Sequence, residues 1–239
     1  MLRAEKFEWG PEANTFTTLG RCPRTGRLGV AITTAEMAVA GRCVYVKSNV
    51  AAVASQARTN PLLGPLALQL VELGYPASRV MLELEASDPY IEFRQIGIVD
   101  RWGHVSVRTG TSNGDYHGSI TGDGWIAMAN GVVGEEVIQA MAGAMDGTES
   151  EDLEVRLVNA IEAGTNAGGQ PTGQRSAGVV VYENEGFSIV NLRVDDSDAP
   201  MKDLRALFDK FHPLMRYYKE RPFDPRIGNQ REWAEENLK

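Results

Sequence analysis

The sequence predicts an α+β protein of four layers, two antiparallel sheets face to face with helices outside both: an αββα sandwich. Three observations predict it. Segments with strand character come in adjacent pairs, as hairpins do: Thr15 to Thr34, Phe93 to Thr109 and Ser176 to Val194. Segments with helical spacing also come in pairs, one after Asn60 and one after Glu135. The order is strands, two helices, strands, two helices, strands, so each helix pair can cover one sheet.

The first hairpin has arms Thr15–Arg21 and Arg27–Thr34, both rich in β-branched residues. Its link, Cys22-Pro23-Arg24-Thr25-Gly26, holds turn residues. Ala35 to Arg42 reads as a loop, and Val44 to Gln56 as a nearly continuous apolar run, interrupted by Lys47, Ser48 and Asn49, that suits strands buried on both faces. Asn60-Pro61 reads as a helix start, with Asn as cap. The stripe Leu62, Leu66, Leu70, Leu73 then predicts a helix stopped by Gly74. A second helix follows Pro76, using Val80, Leu82 and Leu84. Phe93–Val99 and His104–Thr109 form a strand pair, and 110–124 reads as a glycine-rich loop. A strand at Trp125–Ala129 precedes helices at Glu135–Met145 and Leu153–Ala163. After a loop at 168–173, Ser176–Tyr182 and Phe187–Val194 make the last hairpin. From Pro200 a helix runs to about Met215 with the stripe Leu204, Leu207, Phe208, Phe211. The charged tail from Tyr217 is expected on the surface or on a partner subunit. The domain reading is an arm at 1–14, one body at 15–200, and a C-terminal helix and extension at 201–239.

Composition sets bounds. The net charge of −8 argues against a nucleic-acid groove, which needs a basic stripe. Two cysteines, Cys22 and Cys43, make no disulfide framework, and with three histidines no metal motif can be written. No cofactor is expected. The charged N-terminus is no secretory signal, and no apolar run is long enough to span a bilayer. The expected compartment is the cytoplasm, without a membrane partner.

A hairpin that opens on a hydroxyl residue can carry chemistry. Were the chain cut between Asn14 and Thr15, Thr15 would hold a nucleophile and a base, its hydroxyl and its new α-amine. An ordinary strand that starts with Thr is the plain alternative.

A set of ordered motifs adds weight. These are the hairpin Thr15–Thr34, Ser55-Gln56 through Asn60-Pro61 and Gly64-Pro65, Arg94-Gln95 with Val99-Asp100, and Asn130. They continue with Ala163-Gly164, Gly168-Gly169, Ser176-Ala177 and Leu192-Arg193-Val194-Asp195-Asp196. Together they resemble the bacterial domain of unknown function 1028 family, from Thr15 to about Phe211. The resemblance implies a fold like that of the N-terminal nucleophile (Ntn) hydrolases. It makes Thr15 a candidate nucleophile, since relatives commonly carry Met directly before that Thr. By the same kinship Lys47 lies as far beyond Thr15 as the active-site lysine lies beyond the threonine in proteasome β subunits. The acid that accompanies that lysine there falls on Ala31 here. Other departures are Gln170 in place of an acid, Arg175 in place of Gln, Ala129 in place of Gly, and the residues ahead of Thr15.

Each candidate has two readings. Lys47 could assist the nucleophile or be a solvated strand end. Arg94 could grip a substrate carboxylate through its fork or form a structural salt bridge. Gln95 stands beside it in the same motif. Gln56 and Asn60 could bind a substrate amide or cap the Pro61 helix. Asn130 could donate to an oxyanion or shape its Gly turn. Ser176 could line the same pocket or be a plain strand residue. The leading functional reading is a hydrolase of amide-like C–N bonds in a small metabolite, with Thr15 as nucleophile once the preceding arm is removed. The alternatives are an unprocessed small-molecule binder of the same fold and an uncleaved enzyme that uses the pocket differently. A homo-oligomer is expected.

Overall fold

The computed structural model describes residues 14–114 and 116–238. Of the expected arm, residues 1–13 lie outside the described residues. The first hairpin forms as β1 (Thr15–Arg21) and β2 (Leu28–Thr34), in a register that sets Thr15 opposite Thr34 and Arg21 opposite Leu28. A short helix α1 (Ala40–Cys43) leads into β3 (Val44–Lys47) and β4 (Ala51–Ala57). Helices α2 (Leu63–Glu72) and α3 (Ala77–Ser87) follow, then strands β5 (Arg94–Asp100), β6 (Val105–Thr109), β7 (Gly118–Gly122) and β8 (Trp125–Asn130). Helices α4 (Glu135–Met145) and α5 (Leu153–Asn166) precede strands β9 (Ser176–Tyr182) and β10 (Ser188–Val194). The chain ends in α6 (Pro200–Phe211), α7 (Met215–Glu220) and α8 (Gln230–Asn237).

The strands form two antiparallel sheets, with orders β10-β9-β2-β1-β8-β7 and β3-β4-β5-β6. Their inner faces meet, β1 lying against β4 and β5, and β2 against β3 and β4. Alternation along the strands puts Leu19, Val30, Ala52, Ala54, Val99, Ile126 and Met128 into that dry layer. The outer face of the larger sheet carries α4 and α5, and the outer face of the smaller one carries α2 and α3. Gly20 and Gly29 face each other in the β1–β2 register and let α5 come close. A Cβ on either would meet Leu153 or Leu157 at 2.8 Å. Helix α6 starts with Pro200 at its first turn and buries Met201, Leu204 and Phe208 in the core under α4 and α5. No helix among the described residues is long and apolar enough to cross a membrane.

Several expectations need correction. The run Val44–Gln56 is a hairpin whose first arm, β3, is half-buried rather than buried on both faces. Its break falls at Ser48–Val50, where Asn49 takes a left-handed turn conformation at φ 56°. The 35–42 loop ends in α1, and the 110–124 loop contains β7, an exposed edge strand with one large apolar residue and so no apolar alternation to read. Helix α2 starts two residues after Pro61, and its buried face is Leu63, Gly64, Ala67 and Val71. The leucine stripe is only the edge of the core face: Leu66 and Leu70 pack partly buried against it, while Leu62 and Leu73 are about three-quarters exposed, at 76% and 77%. Small residues win the inner face because the Tyr45 ring occupies the space a Cβ on Gly64 would need. Leu82 and Leu207 are likewise exposed, while Met81 and Met201 are buried. The tail folds back in two short helices and buries Tyr217 and Trp233.

Candidate active site

The sheet registers align four polar residues in one row. Ser176 lies opposite Thr34, Thr34 opposite Thr15, and Thr15 opposite Asn130, across β9, β2, β1 and β8. In the facing sheet a second row sets Gln56 opposite Gln95 and Gln95 opposite Thr109. All but Thr109 are buried, and the two rows are stitched together by side chains.

Gln95 is the hub. The two protons of its Nε2 are shared among three acceptors, Thr109 Oγ1 at 2.8 Å, the Ala129 carbonyl at 3.0 Å and the Gly118 carbonyl at 3.3 Å. Its Oε1 accepts from Gln56 Nε2 at 2.6 Å and from Asn130 Nδ2 at 3.0 Å. Gln56 Nε2 also donates to the Thr15 carbonyl at 3.2 Å, and Gln56 Oε1 accepts from the Thr17 hydroxyl. The nucleophile candidate is thus held from the other sheet by Gln56, which Gln95 holds in turn.

Above Thr15, three oxygens line up. The Thr34 hydroxyl donates to the Asn14 carbonyl at 2.5 Å, and Thr15 Oγ1 lies 3.0 Å from Thr34 Oγ1. A hydroxyl has one proton, and that of Thr34 points to the carbonyl, so Thr15 is the donor in its contact. The Ala35 N–H reaches the same carbonyl at 3.4 Å. The Asn14 side chain stands on Gly131, whose φ of +60° and lack of a Cβ make room for it. Between Asn14, Arg58, Phe93, Asn113 and Asn130 remains a recess of about 20 Å³, room for one water. The hydrogen-bonded cluster contains Thr, Gln and Asn side chains only, so it holds hydroxyls and amides but no group that takes a proton near neutral pH.

The other candidates lie elsewhere or are engaged. Lys47 sits at the opposite end of the smaller sheet, in register with Ala51, five residues along β4 from Gln56. That is about 17 Å of strand. Its ammonium pairs with Glu72 at 2.7 Å on the surface, which takes it out of the cluster. Counting from Thr15 missed this because the β3–β4 turn comes directly after Lys47. Arg94 gives its Nε to Asp88 at 3.0 Å and another N–H to the Arg58 carbonyl, the structural salt bridge of its two readings. Asn60 donates to Asp88 at 3.1 Å and accepts from the Leu62 N–H at 3.1 Å, so it organises the approach to α2. Burial alone would raise the Asp88 carboxyl. The hydrogen bonds from Arg94, the Tyr90 N–H and Asn60, with the Arg94 charge, outweigh it and hold the group below its ordinary value. The Ser176 hydroxyl is taken up by the Glu36 carbonyl at 2.6 Å and the Val39 N–H at 3.1 Å.

Sequence reading missed Thr34, Thr17, Thr109 and the Asn14 carbonyl as members of the cluster. The Thr15–Thr34 pairing could have been found, because the hairpin's ends fix its register. Gln170, which stands where the family usually carries an acid, is buried with neither amide atom hydrogen-bonded. At the far end of the β1–β2 hairpin, Asp152, Glu154 and His212 come within 4.8 Å of one another. No sequence spacing announced them, and the Arg27 guanidinium already bridges to Glu154 at 2.9 and 3.1 Å.

Comparison with known proteins agrees with this architecture. A family model described as "Family of unknown function (DUF1028)" matches residues 15–204. The crystal structure of protein SPO2555 from Silicibacter pomeroyi, itself a DUF1028 protein, superposes with a TM-score of 0.78 at 27% identity. The match covers 92% of this chain and 93% of that one. Anbu (ancestral beta-subunit) from Yersinia bercovieri aligns at a TM-score of 0.42 and 9% identity, over 82% of this chain and 93% of its own. No functionally curated protein matches. Matched by the family model over most of its length, and sharing its fold with a solved member, the chain belongs to the DUF1028 family.

Proposed function

We propose that this protein is a hydrolase of amide-like C–N bonds in a small metabolite, with Thr15 as its nucleophile after cleavage of the Asn14–Thr15 bond. In this reading the two sheets and their outer helices are the αββα sandwich of the Ntn hydrolases, residues 15–200 are the catalytic body, and 201–239 an extension. The carrying observation is the line of oxygens from Thr15 through Thr34 to the Asn14 carbonyl.

That line supports a balanced sequence of steps. Thr15 Oγ attacks the Asn14 carbonyl carbon while its proton passes to Thr34 Oγ. The Thr34 proton meets the oxygen that gains charge. Collapse breaks the C–N bond as the nitrogen takes up a proton, leaving an ester on Thr15 and a free α-amine. One water, for which the recess has room, then hydrolyses the ester to an Asn14 carboxylate and the Thr15 hydroxyl. The released amine supplies the base that the cluster lacks, and departure of Asn14 opens the space over Gly131 for a substrate carbonyl. Asn130 then serves as an oxyanion donor, and Gln56 and Gln95 hold Thr15 in place. The recess beside Asn14 is too small for a metabolite, which favours processing over binding by the uncleaved chain.

Intact mass and N-terminal sequencing of the freshly purified full chain, followed through incubation, test this. The expected product begins at Thr15, and Thr15→Ala stays whole. A wild-type chain that keeps its Asn14–Thr15 bond indefinitely overturns the proposal. A cleaved chain then enters a screen of small amides, with Thr15→Ala as the inactive control.

A further inference from the structure

Helix α2 is apolar on both sides. Its inner face, Leu63, Ala67 and Val71, packs on the smaller sheet. Its outer side carries Leu62, Pro65 and Leu73 exposed around Gln69 and Glu72, and Leu66 and Leu70, partly exposed, lie at its edges against the core. Three exposed apolar residues beside a single charge make this side far more apolar than a water-facing helix side usually is. Its neighbourhood continues the pattern: Tyr75 lies 44% exposed, Leu82 on α3 55%, and Tyr90 just beyond α3 63%. Five of the thirteen large apolar side chains that stand exposed among the described residues thus fall between 62 and 90. Such concentration on one layer marks an interaction surface.

We infer that the α2–α3 layer is the contact face of a homodimer, packed against the same layer of a second copy. Charge selects this occupant. The ionised groups of the two helices are Glu72, Arg79, Glu83 and Glu85, and each is paired within its own chain. Glu72 bonds Lys47 at 2.7 Å, Arg79 bonds Glu83 at 2.5 Å, and Glu85 bonds Arg108 at 3.0 Å. The two helices alone carry −2, and Lys47 and Arg108 of the adjoining strands bring the layer to balance, with Arg108 also serving Glu92, on a chain whose net charge is −8. Two copies can meet here without the like-charge repulsion they would suffer elsewhere. A basic or acidic partner gains nothing from a neutral face. An anionic membrane surface calls for Lys and Arg along the polar edge of the helix, and α2 has none. Geometry agrees. Leu62, Leu66 and Leu70 form an i, i+4 ridge, and such ridges interdigitate with their own kind when two identical helices cross. A two-fold axis then makes the patch self-complementary. This inference is independent of the proposed hydrolase activity.

Sedimentation velocity on the full chain, across micromolar concentrations, is the test. Wild type is expected at an even multiple of the chain mass. Leu62→Glu with Leu73→Glu is expected to halve that mass while circular dichroism and melting temperature stay unchanged, because both side chains already face water. In a second arm, Leu66→Cys is oxidised and the covalent dimer measured; Cys22 and Cys43 are buried and do not contribute. A disulfide-linked dimer supports the face. A wild-type monomer, including one that instead cosediments with anionic vesicles, overturns the inference. So does a double variant that keeps the wild-type mass, or a Leu66→Cys chain that fails to cross-link.

Discussion

Replacing Gln95 by Leu tests the hub directly. The two side chains are close in size, so packing survives and hydrogen bonds are what change. Five partners lose a bond. Four recover cheaply: Gln56 Nε2 keeps the Thr15 carbonyl, the Thr109 hydroxyl can rotate, the Gly118 carbonyl lies on the exposed edge strand β7, and the Ala129 carbonyl stays in the β7–β8 ladder. One does not. Asn130 Nδ2 remains buried and loses this acceptor. At about 1–3 kcal/mol for an orphaned group, the expected loss is about 2 kcal/mol. That is a sizeable share of the roughly 5–15 kcal/mol that holds a domain together. Urea unfolding, followed by far-ultraviolet circular dichroism and tryptophan fluorescence, reads it as a lower midpoint at unchanged slope. A loss below about 1 kcal/mol would refute the reasoning, since it would mean that the orphaned group finds water or was never bonded to Gln95.

Thr34→Val keeps the shape of the side chain and removes the donor to the Asn14 carbonyl. Cleavage before Thr15, followed by intact mass over time, is expected to slow about 100-fold or more, while Thr34→Ser stays near wild type. Asp88→Asn removes the charge that Arg94 and Asn60 are built around, with an expected cost of about 3 kcal/mol at pH 7. Because the folded Asp88 carboxyl sits below its ordinary 3.8, its contribution is fully present above that pH and is lost as pH falls through the folded value. The gap between wild type and Asp88→Asn, from unfolding curves, is therefore expected to close on acidification below 3.8. Gly64→Ala drives a Cβ into the Tyr45 ring, whose hydroxyl is tied to the Arg42 carbonyl at 2.7 Å. Overpacking of about 1–3 kcal/mol outweighs the gain in helix propensity, and the melting temperature is expected to fall.

Strand pairing was legible in the sequence, and so were the helix pairs. Helix α4 has the bounds its periodicity predicts, and β9 those its run of small and β-branched residues predicts. What misled was size. The α2 region is so rich in leucine that the obvious stripe runs along the edge of the packed face, with Leu62 and Leu73 outside, while Leu63, Gly64, Ala67 and Val71 make the face itself. Strand β7 was invisible because an exposed edge strand carries no apolar alternation. Of the candidate residues, the ordered motifs pointed to Gln56, Gln95 and Asn130, and the structure brings these into one hydrogen-bonded cluster beside Thr15. Spacing could not tell Lys47 from a ligand, because distance along the chain says nothing about which end of a sheet a residue reaches. Thr34 went unread although its partner was known: only pairing the hairpin residue by residue brings its hydroxyl to the Asn14 carbonyl.

The row Ser176–Thr34–Thr15–Asn130 has a consequence for synthesis on the ribosome. Its members come from strands that emerge at very different moments, and Gln95 beneath them arrives between the second and the last. The β1–β2 hairpin can close early, since it is local. The glutamine floor waits for β5, the Asn130 flank for β8, and the Ser176 border for β9. No nascent chain that ends before Ser176 can hold the complete row. The last strand to join, β9, thus completes the row, and any fragment released before it lacks the border that Ser176 forms beside Thr34.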